Sequence, residues 1–195
     1  MKKPPSTVQS KDLQIKNHWL QGAIRKASEN FDARPDADDI SLIVIHCISL
    51  PPGEFNTPHI DQLFNNQLQA QDHPYFKGIS QLRVSAHILI KRTGEICQYV
   101  AFNQRAWHAG QSEYEGRKQC NDFSIGIELE GTETVPYTEQ QYLKLALLIN
   151  TLIAHYPALT PERITGHSNI APDRKTDPGK SFSWQKLDQL LRTKQ

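Results

Sequence analysis

The sequence lacks long hydrophobic runs and an excess of either charge. In its 195 residues no apolar stretch approaches the roughly 20 residues that a membrane-spanning helix requires. Lysine and arginine number 22 against 21 aspartates and glutamates, whereas dedicated nucleic-acid-binding proteins are usually strongly basic. A chain of this length can bury a core without disulfides or a structural metal, so a metal would have a chemical role. We expect a globular protein with no nucleic acid, no membrane and no obligatory protein partner.

Cysteine is also scarce. Cys47, Cys97 and Cys120 are odd in number and form no C-x-x-C pair, so neither a disulfide framework nor a zinc ribbon is indicated. The first ten residues contain two lysines but not the apolar segment of a secretory signal. Reduced thiols without such a signal predict a cytoplasmic protein. The G-x-S-x-G, P-loop and G-x-G-x-x-G motifs are missing too, which argues against serine hydrolases, nucleotide hydrolases and dehydrogenases.

Hydrophobic periodicity predicts an α/β fold, a mixed sheet domain with helical packing on the sheet. β-Branched runs and alternation predict strands over residues 40–46, 84–91, 95–100, 123–130 and 163–166. Apolar residues at helical spacing predict helices over residues 59–66, 138–155 and 183–191. The second of these helices opens with a capping box, Thr138 to Gln141. We expect residues 1–30 to be a peripheral extension with a short helix over 19–27, and residues 31–195 to form the main domain.

Two histidines end predicted strands, and a carboxylate follows the second. A lone histidine such as His46, on an apolar strand face, is more often structural, but strand ends leading into loops also collect binding sites. Asp177 lies ten residues after His167, and the proline that follows keeps it extended, so Lys175 should point to the same side. Two histidines and one carboxylate are a ligand set of catalytic zinc. The alternative is that Asp177 caps a Pro-Gly turn and Lys175 is a solvated charge.

Glu128 shares one face of its predicted strand with Ser124 and Gly126. A glycine inside a strand often marks the close approach of a ligand or of another backbone. A partly desolvated carboxylate beside such a gap is suited to general-base catalysis, because burial raises its pKa. The alternative is that Glu128 and Glu130 line a solvent-exposed face. Alternation alone does not separate these two interpretations.

Three weaker features remain. Trp107 and His108 precede two small residues and form either a ligand wall or a tight loop. His87 lies between apolar residues of a predicted strand, so we expect a core histidine. Cys47 follows His46, but no carboxylate is placed to orient that histidine, and the apolar run does not stabilise a thiolate. We therefore do not expect a cysteine nucleophile.

Several long segments together resemble the zinc-dependent N-acetylmuramoyl-L-alanine amidases, in particular the cytosolic branch that acts on anhydro-muropeptides. The segments are IVIHCISLPPGEF, LRVSAHILIKRTGEICQYV, RAWHAG, CNDFSIGIELEG and TGHSNIAPDRKTDPG, and the likeness runs from about residue 32 to residue 184. Phage amidases of the lysozyme type and peptidoglycan recognition proteins belong to the wider family. The resemblance implies a mixed sheet flanked by helices with zinc at one end, which makes residues 31–195 a zinc amidase domain.

The resemblance also implies a role for each candidate residue. His46, His167 and Asp177 would bind Zn²⁺, Glu128 would act as the general base and Lys175 would stabilise the transition state. The substrate would be the amide between anhydro-N-acetylmuramic acid and L-alanine of muropeptides, in cytosolic peptidoglycan recycling. Low-specificity matches assign substrate contacts to Arg83, Trp107, His108 and Arg117.

The chain departs from the family pattern at two positions. Many relatives have asparagine after the first ligand histidine, where this chain has Cys47, and this affects one polar substrate contact but not the metal site. Phage-type relatives have a tyrosine where this chain has Ala86. Without that tyrosine, Glu128 is favoured as the base.

Two other functions stay open on the sequence alone. One is a non-catalytic muropeptide-binding module, and the other is an exported amidase that acts on intact cell wall. A binding-only descendant would be free to lose a ligand, so the complete residue set favours an enzyme. The unpaired cysteines and the missing secretory signal argue against export.

Overall fold

The structure, a computed structural model, describes residues 13–193. Its strands are β1 Gln14–Lys16, β2 Trp19–Gln21, β3 Ile24–Arg25, β4 Phe31–Ala33, β5 Leu42–Ile48, β6 Ile88–Ile90, β7 Ile96–Gln98, β8 Gln104–Ala106, β9 Glu113–Tyr114, β10 Arg117–Lys118, β11 Ser124–Glu130 and β12 Ile164–Gly166. Its α-helices are α1 His59–Phe64, α2 Glu139–His155, α3 His167–Ile170 and α4 Trp184–Arg192. In this part of the chain no helix combines the length and apolarity needed to cross a bilayer.

Six strands form one mixed sheet in the order β12-β5-β11-β6-β7-β3. The first four run parallel, β7 is antiparallel to β6, and β3 is parallel to β7. Three two-stranded ribbons, β1-β2, β4-β8 and β9-β10, surround this sheet. The predicted mixed sheet with flanking helices is therefore confirmed.

Helix α2 covers one face of the sheet. It begins at the predicted capping box, in which Gln141 N–H donates to Thr138 Oγ1 at 3.2 Å and Thr138 N–H donates to Gln141 Oε1 at 3.0 Å. Helix α4 packs against α2. The apolar side of α2 meets every second residue of the central strands in a continuous core that includes Ile43, Ile45, Ile125, Ile127, Leu129, Leu145, Ile149 and Leu152. Burial of this face is a main source of the fold's stability.

The opposite face carries two smaller apolar clusters. One packs α1 and the loop after it onto β6 and β7, and it includes Ile60, Leu63, Phe64, Phe76, Leu89, Cys97 and Tyr99. The other packs the loop before β9 and helix α3 onto β5, and it includes Leu42, Val44, Ala109, Cys120, Phe123 and Ile170. Polar side chains of β5 and β11 share this face of the sheet.

The helix predicted over residues 19–27 is wrong. Residues 17 and 18 have φ values of 50° and 63°, which turn the chain in a hairpin between β1 and β2. Gly22, with φ of 86°, then redirects it into β3, which pairs with β7 at the edge of the main sheet. Leu20 is buried in the main core, and its N–H donates to Gln98 Oε1. Tertiary packing therefore overrides the weak helical pattern.

Candidate active site

Three parallel strands bring two histidines and a glutamate to one edge of the sheet. Strands β5 and β11 pair in a register that places Glu128 opposite His46. Strand β12 pairs on the other side of β5, with Gly166 opposite Ile45, so His167 follows directly at the same edge. Parallel strands end on the same side, which is why residues far apart in sequence meet here.

The loop after α3 brings the carboxylate to the histidines. Ser168 N–H donates to the carbonyl of Asp177 at 2.9 Å, and Tyr137 O–H donates to the carbonyl of Pro178 at 2.8 Å. Gly179 lies against the backbone of Glu133, where a β-carbon would come within 2.4 Å of its Cα. The loop between β11 and α2 therefore holds the Asp177 loop in place.

The side-chain donors of the three predicted ligands lie close together. Nδ1 of His46 is 2.9 Å from Nδ1 of His167, and Oδ2 of Asp177 is 3.2 Å from each of these nitrogens. Donors at the corners of a tetrahedral zinc site lie about 3.3 Å apart, given zinc–ligand bonds of about 2.0–2.1 Å. The observed triangle agrees with this spacing to within a few tenths of an ångström.

The far nitrogen of each ligand histidine has its own partner. Nε2 of His167 lies 3.1 Å from the carbonyl oxygen of Ala109. A carbonyl only accepts, so Nε2 carries the hydrogen and Nδ1 presents a lone pair. Nε2 of His46 lies 2.9 Å from Nδ1 of His108. Such outer partners orient metal-binding imidazoles in general.

The electrostatics of the three donors favour a cation. Burial lowers the pKa of His46 to about 4, an effect that the Asp177 carboxylate partly opposes. Burial would raise the pKa of Asp177, but the close approach of the His167 and His46 side chains outweighs it and lowers this pKa. At neutral pH the triangle therefore holds a neutral imidazole at His46 and a carboxylate, which is the protonation state that a metal requires.

Glu128 is buried rather than solvent-exposed. It is 9% exposed, and within residues 13–193 its Oε2 has no hydrogen-bond partner. Burial, and then the Asp177 carboxylate, raise its pKa well above the usual range, whereas Lys175 lowers it. The interpretation of Glu128 and Glu130 as an exposed face is wrong, because Glu130 is only 1% exposed and accepts from the N–H groups of Asn56 and Arg92.

One cavity contains all five principal candidates. Its volume is about 290 Å³, and its polar lining includes His46, Glu128, His167, Lys175 and Asp177. Its apolar lining comes largely from residues before β6 and includes Leu50, Tyr75, Ile79, Leu82, Val84 and Trp107. Tyr75 and Leu82 are 48% and 47% exposed. Their position was not anticipated, because the 3₁₀ helix Pro74–Gly78 and the irregular backbone after it have no periodic pattern.

The predicted substrate contacts divide into two groups. Trp107 and His108 line the cavity, whereas Arg83 and Arg117 do not. Arg83 is exposed. The guanidinium of Arg117 pairs with Asp39 and lies 3.8 Å from the ring centroid of Phe123.

Two histidines outside the triangle fill the sheet near the site. His87 is fully buried and accepts from Gly126 N–H at 3.0 Å, so the expected core histidine is confirmed. A β-carbon on Gly126 would lie 2.4 Å from the ring of His108. The space that Gly126 leaves is therefore occupied by an imidazole of the protein itself.

Cys47 also lines the cavity, but as a thiol. Burial raises its pKa to about 12, and the Glu128 carboxylate adds to this effect. Such a thiol is a poor nucleophile at neutral pH, in agreement with the sequence. In the described chain all three cysteines are free.

A His/His/Asp triangle at a sheet edge, with a buried carboxylate in the same cavity, is typical of a hydrolytic metalloenzyme. Residues 36–180 match the family described as N-acetylmuramoyl-L-alanine amidase. The chain belongs to this family, and it is an N-acetylmuramoyl-L-alanine amidase.

Individual relatives support this assignment. The chain is 58% identical over 173 residues to 1,6-anhydro-N-acetylmuramyl-L-alanine amidase AmpD of Citrobacter freundii, covering 89% of this chain and 92% of that protein. It is similar to the crystal structure of a selenomethionine AmpD derivative, with a TM-score of 0.88, 57% identity and coverage of 91% and 98%. It also resembles the amidase AmiD of E. coli in complex with the substrate anhydro-N-acetylmuramic acid-L-Ala-D-γ-Glu-L-Lys. For AmiD the TM-score is 0.56 at 27% identity, covering 92% of this chain and 66% of that one.

Proposed function

We propose that the protein hydrolyses, with zinc, the amide between anhydro-N-acetylmuramic acid and L-alanine of muropeptides, in cytosolic peptidoglycan recycling. The observation that carries this proposal is the triangle of His46, His167 and Asp177 in one cavity with Glu128 and Lys175. The anhydro substrate is supported by the name of the Citrobacter freundii relative and by the ligand of the AmiD complex. Residues 31–195 would form the catalytic domain, to which β3 adds an edge strand.

The three donors would hold zinc and leave one position for water or substrate. A zinc ion bound there would polarise the amide carbonyl and acidify water. Two neutral imidazoles and one carboxylate offset only one of its two positive charges, which preserves a strong Lewis acid. Without the carboxylate of Asp177, only two of the three protein donors would remain.

Glu128 would act as the general base. Its Oε2, which has no partner among residues 13–193, can accept a proton from water, and the same carboxyl can then donate that proton to the departing alanine nitrogen. A raised pKa suits this second step, because Glu128 must hold the proton as a carboxylic acid before it can donate it to the nitrogen. A cation at the three donors would lower the pKa of Glu128 in the same direction as Lys175, which keeps the carboxylate available for the first step.

Lys175 would stabilise the developing oxyanion. Lys175 lines the same cavity as Glu128 and the three donors. Attack on an amide carbonyl moves negative charge onto the oxygen, and a fixed positive charge in a cavity with little water stabilises that charge most effectively. The apolar residues of the lining, Trp107 among them, offer water few hydrogen-bond partners.

The first experiment measures bound zinc and the release of peptide from an anhydro-muropeptide on the same sample. We expect about one zinc ion per chain, by the one-site stoichiometry of a catalytic centre, and cleavage that a chelator removes. Asp177→Ala should lose both zinc and activity, whereas Asp173→Ala, an exposed aspartate of the same loop, should retain both.

The alternatives give different results. Zinc binding without cleavage would favour a muropeptide-binding module, and equal cleavage of intact cell wall would favour a wall-degrading amidase. Cleavage that persists in the zinc-free protein would overturn the proposal.

A further inference from the structure

A continuous series of hydrogen bonds links His46 to three groups behind it. Nε2 of His46 lies 2.9 Å from Nδ1 of His108, and Nε2 of His108 lies 3.1 Å from Oγ of Ser124. Oγ of Ser124 lies 2.5 Å from the carbonyl oxygen of Cys120. The series leads away from the triangle and ends at the backbone.

The carbonyl of Cys120, at the end of this series, fixes the direction of every hydrogen bond in it. The carbonyl of Cys120 has no hydrogen, so the bond requires the hydroxyl hydrogen of Ser124. Ser124 must then accept from Nε2–H of His108, which leaves Nδ1 of His108 as an acceptor. Nε2 of His46 therefore carries the hydrogen, and Nδ1 of His46 presents its lone pair to the triangle.

We propose that His108 is a positioning residue that holds His46 in its Nε2–H tautomer and so directs the Nδ1 lone pair of His46 at the metal. The inference rests on the proposed function, in which His46 binds zinc. It replaces the substrate contact expected for His108, because both ring nitrogens of His108 are already used within the protein.

The surroundings of His108 are built to hold its ring. Gly126 provides the space, since a β-carbon there would lie 2.4 Å from the imidazole. Oδ1 of Asn121 accepts from the N–H groups of His108 and Ala109, at 3.2 and 2.8 Å. Two independent contacts thus fix the ring from the side of the sheet and the backbone from the side of the loop.

The same dipeptide serves the second ligand histidine. The carbonyl of Ala109 accepts from Nε2–H of His167 and from Arg174. His46 is therefore oriented by the side chain of residue 108 and His167 by the backbone of residue 109. With both far nitrogens protonated, two lone pairs and the Asp177 carboxylate meet within 3.2 Å and no hydrogen lies between them. A bound cation would accept these electron pairs and so relieve their mutual repulsion.

A matched pair of substitutions tests the role of His108. Asparagine and leucine have the same shape, but only asparagine offers an acceptor oxygen near the position of Nδ1. His108→Leu should weaken zinc binding by about 10- to 100-fold, as is usual when an outer partner of a metal ligand is lost. His108→Asn should stay close to the wild type. Zinc affinity is measured by competition with a chromophoric chelator, with His155→Asn, an exposed histidine, as the control.

The tautomer of His46 provides a second readout that does not depend on activity. In the metal-free wild type, nitrogen-15 NMR should report hydrogen on Nε2 of His46. In His108→Leu part of the population should move to Nδ1–H, because Oδ2 of Asp177 then offers the nearest acceptor at 3.2 Å. Ser124→Ala, which leaves His108 in place but frees its Nε2, should give a smaller shift and serves if the leucine variant does not fold.

Each outcome decides the inference. Wild-type zinc affinity and an unchanged tautomer in His108→Leu, or in Ser124→Ala if only that variant folds, would overturn it. Equal losses in the leucine and asparagine variants would also overturn it, because they would indicate a purely steric role. If the wild type itself bound no zinc, the proposed function would fail instead, while the tautomer measurement would still test the hydrogen-bond chain.

Discussion

The two faces of the central sheet are made by the same strands and differ in what they do. On the face covered by α2, alternate residues such as Ile125 and Ile127 are fully buried among other apolar side chains. On the other face, Ser124 and Glu128 are also buried, but among histidines and next to a cavity. The first face gains stability from burial, whereas the second face holds polar groups whose burial costs free energy.

This difference indicates a division of labour within single strands. In β11 every residue is buried, so exposure does not distinguish the functional positions from the structural ones. The functional position is distinguished by a buried polar atom without a hydrogen bond, since Oε2 of Glu128 has no partner within the described chain. Sites of this kind are typically retained because activity requires them, at the expense of stability.

The largest expected effect comes from Glu128→Gln. This change keeps the shape of the side chain but removes the base, so kcat should fall by about 10²- to 10⁴-fold. Bound zinc should be unchanged. Burial raises the pKa of Glu128 in the folded protein, so above its unfolded-state pKa this residue loses a proton more readily on unfolding and lowers the stability of the fold. Glutamine does not ionise, and the variant should therefore be at least as stable as the wild type at pH 7.

Kinetic assays, zinc analysis and chemical denaturation of the Glu128→Gln protein check these three expectations. Near-normal turnover would exclude Glu128 as the base. A loss of zinc would place it in the metal site instead.

The second largest expected effect comes from Lys175, which lines the same cavity as Glu128. Lys175→Met should lower kcat by about 10²-fold, the usual cost of losing one group that stabilises an oxyanion. Zinc binding and folding should persist, because Lys175 supplies no donor to the triangle. Lys180→Met, an exposed lysine in the same loop, is the matched control for the loss of charge. Equal activity of the two variants would contradict the role of Lys175.

The apolar face should show the opposite behaviour. Ile127→Ala removes a fully buried side chain and should cost about 2–5 kcal/mol of unfolding free energy. Turnover per folded, zinc-loaded molecule should change little, since Ile127 points away from the cavity and toward α2. Denaturation in urea and active-site titration measure the two quantities separately. A large fall in specific turnover would indicate that the faces are coupled.

The sequence predicted much of this division, because strand alternation and capping are local signals. The strands around His46 and Glu128 and the capping box at Thr138 follow from residues within a few positions of each other. Likeness to the amidase family supplied the link between His46, His167 and Asp177. The hairpin at residues 14–21 was missed because Leu20 is buried by contacts distant in sequence.

The packing of His108 against Gly126 was missed for the same reason. A glycine in a strand indicates that something approaches closely, but not which group does so. The approaching ring comes from a loop eighteen positions earlier, and only the fold determines that it fills the space instead of a ligand.

The smallest expected effect concerns His87, which lies on the polar side of the sheet and has a structural role. Its Nδ1 accepts from Gly126 N–H and its Nε2 faces the carbonyl of Gln104 at 3.0 Å, so the neutral ring is fully used. Burial, and then the charge of Arg34, lower its pKa to about 3. The unfolded chain therefore binds a proton that the folded protein does not, and stability is lost as pH falls from 6.5 towards this value.

This contribution is measured by comparing the metal-free wild type with His87→Asn, in which the amide oxygen can still accept from Gly126. Between about pH 6 and pH 4, the unfolding free energy of the wild type should fall more steeply, by about 1.4 kcal/mol per pH unit for the one extra proton. Other groups, such as Asp177, affect both proteins equally, so the difference in slope reports on His87 alone. Identical slopes would mean that His87 is protonated in the folded protein, and the polar face would then carry a buried charge instead of a neutral ring.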